Sequence, residues 1–208
     1  MGISRRKAEG RMDGVFSGVL GQEEMILNDD VKYRELKQED ISLEAFEGFD
    51  RHQEVKKCWR KIEGTWVLKD IAFVEEWGSE EYAFLVKCLI RTVNEGGTVW
   101  GAFHEERLCG FASLENQSFG SRGQYLQLSS IHVSDGQRGK GIGRMLFSLV
   151  CEKAREKGAE KLYISAHSSE ETQAFYKKEG CVEASEYNER LVAEEPCDCQ
   201  LEYSLIEI

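Results

Sequence analysis

The sequence lacks any apolar run close to the roughly 20 residues that a membrane-spanning helix requires. Its N-terminus also lacks the short apolar core that is typical of a secretory signal peptide. We therefore predict a cytoplasmic protein that does not associate with membranes.

An excess of positive charge is lacking as well. The 208 residues carry 27 Lys and Arg against 38 Asp and Glu, which gives a net charge of −11. Sequence-independent binding of nucleic acid depends on a basic surface, so we exclude nucleic acid as a partner. The acidic balance fits a cationic substrate, although a solvated acidic surface is the more common reason for it.

The chain has seven cysteines but no Cys-x-x-Cys pair. Most of them fall within apolar strand or helix patterns, where a thiol behaves as a small hydrophobic group. Cys197 and Cys199 lie close together but too isolated to form a metal site by themselves. We predict a reducing compartment, no disulfide framework and no metal.

The length fits one domain, and the sequence contains no internal repeat or low-complexity segment. Apolar periodicity predicts alternating strands and helices from residue 31 onwards. The predicted strands cover 31–36, 98–104, 108–115, 125–133, 161–167, 181–187 and 199–206. The predicted helices cover 38–46, 79–94 with Ser79 as N-cap, 142–158 and 168–180, and 188–196 is predicted as a connection.

Two segments stand apart from this alternation. Residues 1–30 show no sustained period, and a vector-derived leader, a flexible arm and an extra segment lying on the domain are the alternatives. We favour a loosely attached arm and assign residues 31–208 to the domain. Glu63 and Gly64 separate two strand-like runs and predict a hairpin within 49–77. Its tryptophans fit a core, or alternatively the wall of an acceptor pocket that would include Asp50 or Glu54.

A glycine-rich turn joins the strand at 125–133 to the helix that begins at Ile142. Glycines remove side chains where backbone amides can converge, and the first amides of a helix have no internal partner. The helix dipole also favours negative charge there, so the turn predicts a phosphate or pyrophosphate site, with a tight turn that merely exposes basic residues as the alternative. The glycine and basic residues of this turn are Arg138, Gly139, Lys140, Gly141, Gly143 and Arg144.

The turn matches neither the Walker pattern nor the dinucleotide-binding fingerprint. It resembles the acetyl-CoA loop of the GNAT N-acetyltransferase family, whose pattern Gln/Arg-x-x-Gly-x-Gly/Ala reads here Arg138-x-x-Gly141-x-Gly143. A second segment, Phe175-Tyr176-x-x-x-Gly180, is similar to that family's Phe/Leu-Tyr-x-x-x-Gly-Phe. The sequence departs from the family at Cys181, where an aromatic residue is usual, and at Ser169, where Asn is often found.

The resemblance implies an α/β fold with a mixed, mostly antiparallel central sheet flanked by helices. The domain would be single, with the N-terminal arm and the hairpin as additions. It also implies acetyl-CoA as cosubstrate and no metal. The cofactor-binding residues implied by the resemblance are Ile131, His132, Val133, Arg138, Gly139, Lys140, Gly141, Ile142, Gly143, Arg144, Ser169 and Phe175.

The implied chemistry is direct transfer of an acetyl group from a thioester to an amine. A backbone amide near the end of the central strand, that of Val133, would donate to the thioester oxygen. Tyr176 is the expected general acid for the departing CoA sulfur. Glu115 is our first choice of general base, either directly or through water, with His132 and His167 as alternatives, and the base need not be a single side chain.

The acidic composition favours a small cationic amine as acceptor, such as an aminoglycoside-like or streptothricin-like antibiotic or a polyamine. One alternative is acetylation of a protein N-terminus or lysine, which requires an open groove. Others are a non-catalytic acyl-CoA-binding module, against which Tyr176 argues, and a generic nucleotide-binding domain. A homodimer is also considered, because the last strands could exchange between protomers.

Overall fold

The computed structural model describes residues 25–28 and 31–206. The predicted N-terminal arm therefore lies outside the described residues, apart from a short strand at its end. The strands are β1 (Met25–Asn28), β2 (Val31–Leu36), β3 (His52–Ile62), β4 (Thr65–Glu76), β5 (Thr98–His104), β6 (Arg107–Leu114), β7 (Tyr125–Val133), β8 (Lys161–Ala166), β9 (Val182–Glu183) and β10 (Cys199–Ser204). The helices are α1 (Ser79–Asn94), α2 (Ile142–Glu156), α3 (Glu170–Lys178) and α4 (Glu189–Glu194), and short 3₁₀ turns cover Gln38–Asp40, Glu44–Phe46 and Asp135–Gln137.

One twisted sheet forms the centre of the fold. Within the described residues it has eight strands, in the order β1-β2-β5-β6-β7-β8-β10-β9. The neighbouring strands are antiparallel except for β7 and β8, which are parallel. This confirms the mixed, mostly antiparallel sheet in a single domain that the resemblance implied.

Helices cover both faces of this sheet. The apolar stripe of α2, which includes Leu146 and Val150, packs on one face and buries the larger core with β6 and β7. Leu85 and Leu89 of α1 pack on the other face together with Phe111 of β6. Each helix therefore presents the face that its 3.6-residue period predicted. None of the helices in residues 31–206 is long and apolar enough to span a membrane.

The predicted hairpin forms a separate two-stranded sheet, β3 and β4. Glu63 and Gly64 both have positive φ angles, of 48° and 82°, and form its turn. The hairpin is fastened to the start of α3, because the Trp59 N–H donates to the Ser168 carbonyl over 2.8 Å and Arg60 Nη1 donates to Ser168 Oγ over 2.6 Å. It therefore reaches from the α1 side of the sheet across to β8 and α3.

Four secondary-structure predictions were wrong. Residues 38–46 form two separate 3₁₀ turns rather than one helix. The N-cap of α1 is Gly78 rather than Ser79, because the Glu81 carboxylate accepts the Gly78 N–H over 2.8 Å. The predicted strand at 181–187 shortens to β9, which pairs with β10 over only two residues. The predicted connection at 188–196 contains α4, which is capped by the Asn188 side chain accepting from Leu191 N over 3.3 Å.

Candidate active site

A gap in the sheet between β7 and β8 defines the site. These parallel strands pair only over residues 125–127 and 161–163. Beyond that point, β7 continues to Val133 against β6, and β8 continues to Ala166 against β10. The two strands therefore separate, and residues 128–133 and 165–167 line a cleft of about 920 Å³. This volume suits a small-molecule site.

The edge of β7 that faces this gap has no neighbouring strand at residues 128–133 within the part of the chain that the structure describes. The Ser134 N–H donates to the Cys109 carbonyl of β6 over 2.9 Å. Because backbone groups of a strand point alternately to its two edges, the Val133 N–H points away from β6 towards the gap. The same edge carries the Val133 carbonyl, which accepts from Arg138 Nε over 3.2 Å.

The glycine-rich turn places the N-terminus of α2 at one end of the cleft. Gly139 and Gly141 have φ angles of 78° and 86°, and no atom lies within 4 Å of where their Cβ atoms would be. Gly141 is the N-cap, and among the described residues no side chain caps the helix and no acidic residue lies in its first turn. The first amides of α2 are therefore open to an anion at the positive end of the dipole.

The basic residues of this turn do not all face the cleft. Arg138 lines it but also donates to the His52 carbonyl over 2.6 Å, which ties the turn to the start of β3. Arg144 lines the cleft with a largely exposed side chain. Lys140 donates to the Gln137 side chain over 2.7 Å and is not among the lining residues. The turn thus offers backbone amides that can bind an anion, and its Arg138 side chain holds the start of the hairpin.

Helix α3 forms the facing wall with Phe175 and Tyr176. Gly143 of α2 faces this wall, and an added Cβ there would make ordinary van der Waals contact with the Phe175 ring at 3.5 Å. The Tyr176 side chain is 5% exposed, and burial raises its pKa well above the usual value. Within residues 31–206 its hydroxyl has no hydrogen-bond partner. The Tyr176 hydroxyl is therefore protonated and available to donate a hydrogen bond to a bound molecule.

Arg51 and Glu75 of the hairpin segment also line the cleft. The Arg51 side chain is 7% exposed, and its Nη2 donates to the Glu75 carboxylate over 2.7 Å. Its Nε donates to Nδ1 of His132 over 3.1 Å. The His132 ring also contacts Trp77, with ring centroids 4.8 Å apart. Burial, with the positive charges of Arg51 and Arg138, lowers the pKa of His132 to about 3.

Besides Lys140, two more residues predicted for the site, Glu115 and Ser169, lie outside the cleft lining. The Glu115 carboxylate accepts from the hydroxyls of Thr92, over 2.9 Å, and Ser129. Ser169 is fully buried, caps α3 by accepting from Thr172 N and also accepts from Gln53 Nε2 over 3.1 Å. The structure thus gives Glu115 and Ser169 structural partners and does not bring them together with Tyr176.

A group of carboxylates, called the acidic end here, also lines the cleft. Glu54 and Glu75 come from the hairpin, and Glu195 and Asp198 come from the segment between α4 and β10. Asp198 is partly buried, accepts from Ser165 Oγ over 3.2 Å, and burial raises its pKa to about 6. Asp198 was not predicted as a site residue, although the acidic segment 194–198 that contains it favoured a cationic acceptor.

The cleft fits acetyl-CoA. Its glycine turn leaves room where Cβ atoms would stand, and the open amides of α2 suit a pyrophosphate. The gap between β7 and β8 offers a path for an extended arm towards Tyr176. The lining residues that would hold the cosubstrate are Ile131, His132, Val133, Arg138, Gly139, Gly141, Ile142, Gly143, Arg144 and Phe175.

Comparisons with known proteins agree with this geometry. A streptothricin acetyltransferase from Streptomyces lavendulae is 42% identical over 57 residues, which are 27% of this chain and 29% of that protein. The chain therefore matches less than a third of the length of this curated relative. The crystal structure of a nourseothricin acetyltransferase covers 85% of this chain and 99% of its own, with a TM-score of 0.62 and 17% identity.

A second structure, assigned as a streptothricin acetyltransferase from Bacillus anthracis and in complex with acetyl coenzyme A, covers 83% of this chain and 96% of its own. Its TM-score is 0.59 and its identity 17%. At this identity, both structures show a shared fold. The model of the Acetyltransferase (GNAT) family matches residues 52–181, which is more than half of the chain. The chain therefore belongs to the GNAT acetyltransferase family, as its glycine turn and its Phe-Tyr segment predicted.

Proposed function

We propose that this protein transfers the acetyl group of acetyl-CoA to a primary amine of a small cationic compound. The observation that carries this proposal is that one cleft offers groups for both charges. The uncapped N-terminus of α2 and Arg144 suit a pyrophosphate. The carboxylates of Glu54, Glu195 and Asp198, which line the same cleft, suit an ammonium group.

The lining groups match the needs of acetyl transfer. Acetyl-CoA supplies an activated acyl group when it is bound. The Val133 N–H is positioned to donate to the thioester oxygen, where negative charge develops as the amine attacks. Tyr176 donates its proton to the sulfur as the carbon–sulfur bond breaks. Burial keeps the hydroxyl protonated at neutral pH, since it raises the Tyr176 pKa.

Streptothricin-like compounds are the first acceptors to test. Two proteins similar to this chain are described as acetyltransferases for streptothricin or nourseothricin. Aminoglycoside-like compounds and polyamines share the cationic amines that the acidic end of the cleft would attract. The predictions of a cytoplasmic location and of a homodimer stay predictions.

The hairpin weighs against the alternative of a protein N-terminus or lysine as acceptor. It is fastened to Ser168, and its Gln53, Glu54 and Glu75 occupy part of the cleft lining that an open peptide groove would need. A non-catalytic acyl-CoA-binding module would have no use for Tyr176 or for the acidic end. Both alternatives remain outcomes of the test below.

The test is acetylation of a panel of amines, followed by mass spectrometry of the products. The panel contains streptothricin, aminoglycosides, polyamines and a set of peptides with free N-termini and lysines. Mass spectrometry avoids thiol-reactive dyes, which the chain's seven cysteines would confound. We expect one acetyl group on a cationic small molecule, and roughly 100- to 10,000-fold lower kcat for Tyr176→Phe.

Tyr187→Phe is the matched control, because Tyr187 is exposed and hydrogen-bonds to Glu183 outside the cleft. It should keep the wild-type rate. Acetylation of peptides alone would replace the small-molecule proposal with the protein-acceptor alternative. Binding of acetyl-CoA with no product across the whole panel would favour the binding module.

A further inference from the structure

We infer that Asp198 is the general base that takes a proton from the ammonium group of the acceptor, in the same cleft as Tyr176. The inference rests on the proposed function, because it requires an amine as acceptor. Asp198 directly precedes β10, whose first residue Cys199 pairs with Ala166 at the open end of β8. Its carboxyl therefore lies at the edge of the gap where the strands separate.

The two histidines that line the cleft have no free acceptor nitrogen. Nδ1 of His132 accepts from Arg51, and Nδ1 of His167 accepts the Ser169 N–H over 3.3 Å. A neutral imidazole with an accepting Nδ1 carries its proton on Nε2. Both rings therefore present a donor to their surroundings rather than a base.

The other carboxylates of the cleft are less suited to the role. Glu75 is paired with Arg51 at 2.7 Å, and Glu179 lies 3.9 Å from Arg144 at the end of the cleft with the α2 N-terminus. The remaining ones have exposed side chains, where water screens their charge. These exposed carboxylates are Glu54, Glu171 and Glu195.

Asp198 is held and tuned by its neighbours. Ser165 of β8 donates to Oδ2, which fixes the carboxyl against the strand. Burial is the main reason that its pKa rises to about 6, and the negative charges of Glu195 and Glu75 add to it, whereas Ser165 and His167 oppose it. Asp198 is also close enough to raise the pKa of Tyr176. Tyr176, as proton donor, and Asp198, as proton acceptor, thus line the same cleft. The Asp198 carboxyl is ionised at neutral pH.

The proton balance of the reaction follows from this arrangement. Asp198 takes one proton from the ammonium group and later releases it to solvent. The freed nitrogen lone pair forms the bond to the acetyl carbon, and the carbon–sulfur bond breaks with its electron pair on sulfur. The sulfur takes the proton of the Tyr176 hydroxyl. The second proton that the nitrogen loses then returns to the Tyr176 oxygen. The products are the acetylated amine, the CoA thiol and one proton.

The test compares kcat/KM against pH, from 5 to 9, for wild type and Asp198→Asn with the amine that the panel identifies. In wild type, the value should fall below pH of about 6 and level off above it, because Asp198 accepts the proton once it is ionised. Asp198→Asn should lower kcat/KM at pH 7 at least 100-fold. Its remaining rate should rise tenfold per pH unit towards the pKa of the amine, because only the free amine can react.

Asp70→Asn is the control for the same chemical change, because the Asp70 side chain is 92% exposed on the hairpin. Asp70→Asn should have the same kcat/KM as wild type at every pH. Asp198→Glu should recover part of the rate, and retained CoA binding would show that each variant is folded. A role in binding alone would raise KM and leave the pH dependence of kcat unchanged, which would overturn the inference. Failure of wild type to acetylate any cationic amine would overturn the proposed function and the inference with it.

Discussion

Nε of Arg51 donates to Nδ1 of His132 over 3.1 Å, across a sequence separation of 81 residues. This contact fixes the proton of a buried imidazole on Nε2 and joins the base of the hairpin to the end of the central strand. Arg51 is held in turn by the Glu75 carboxylate. The wall of the cleft therefore depends on a charged group that the motifs of the family do not include.

Replacing Arg51 by Met should destabilise the protein and change the titration of His132. The loss of a buried partner for Glu75 should cost about 2–3 kcal/mol, measured by denaturant unfolding. The pKa of His132, held near 3, should rise when a neighbouring positive charge is removed, which NMR titration would show. Arg190→Met breaks an exposed i,i+4 pair with Glu194 and should cost less than about 0.5 kcal/mol. Equal losses in both variants would contradict the buried role of Arg51.

Gly141→Ala should weaken CoA binding because it alters the N-cap of α2. The φ angle of 86° at Gly141 suits glycine, and a side chain there should cost about 1–2 kcal/mol. Gly136→Ala is the matched control, since no atom lies within 4 Å of its Cβ position and no positive φ applies. Calorimetric titration with CoA should show a several-fold higher Kd for Gly141→Ala alone. An unchanged Kd would argue against the open α2 amides as the phosphate cradle.

The two arginines of the glycine turn should behave differently when each is replaced by Met. Arg138 donates to the carbonyls of Val133 and His52, so its loss should increase hydrogen exchange at the start of β3 as well as weaken CoA binding. Arg144 has a 77% exposed side chain, so its loss should lower CoA affinity only through charge, and mainly at low salt. Identical exchange patterns in the two variants would refute an anchoring role for Arg138.

Asp198→Asn should stabilise the folded protein at neutral pH even though it removes activity. The pKa of Asp198 is raised from 3.8 to about 6, so ionisation above pH 6 costs the folded state up to about 3 kcal/mol. Below pH of about 4 the carboxyl is protonated in both states, and the difference from the variant should disappear. Chemical unfolding at pH 4, 5, 6 and 7 would follow this gain, which should grow with pH and then level off. If Asp198→Asn is less stable than wild type at every pH, ionisation of Asp198 does not destabilise the folded state.

The fold and half of the cleft follow from local sequence patterns. The 3.6-residue period over 79–94 and 142–156 predicted α1 and α2 and their buried faces, because a helix buries whichever stripe is apolar. The glycines at 139 and 141 and the uncapped start of α2 predicted the anion cradle, because backbone conformation and helix dipole are properties of adjacent residues. Tyr176 was found in the same way, from a short segment with a fixed spacing.

The acceptor end of the cleft was decided by the tertiary structure alone. Glu115 was predicted as the general base from its place at the end of β6. In the structure, its carboxylate accepts hydrogen bonds from the hydroxyls of Thr92 and Ser129. Asp198 reaches the cleft because β10 pairs with β8, while Glu75 and Arg51 reach it because the hairpin crosses to α3. Contacts between residues distant in sequence depend on strand order, register and packing, none of which a local pattern of residues encodes. The sequence by itself therefore predicted the fold and the glycine turn of the cleft, and only the folded chain determined which carboxylates line that cleft.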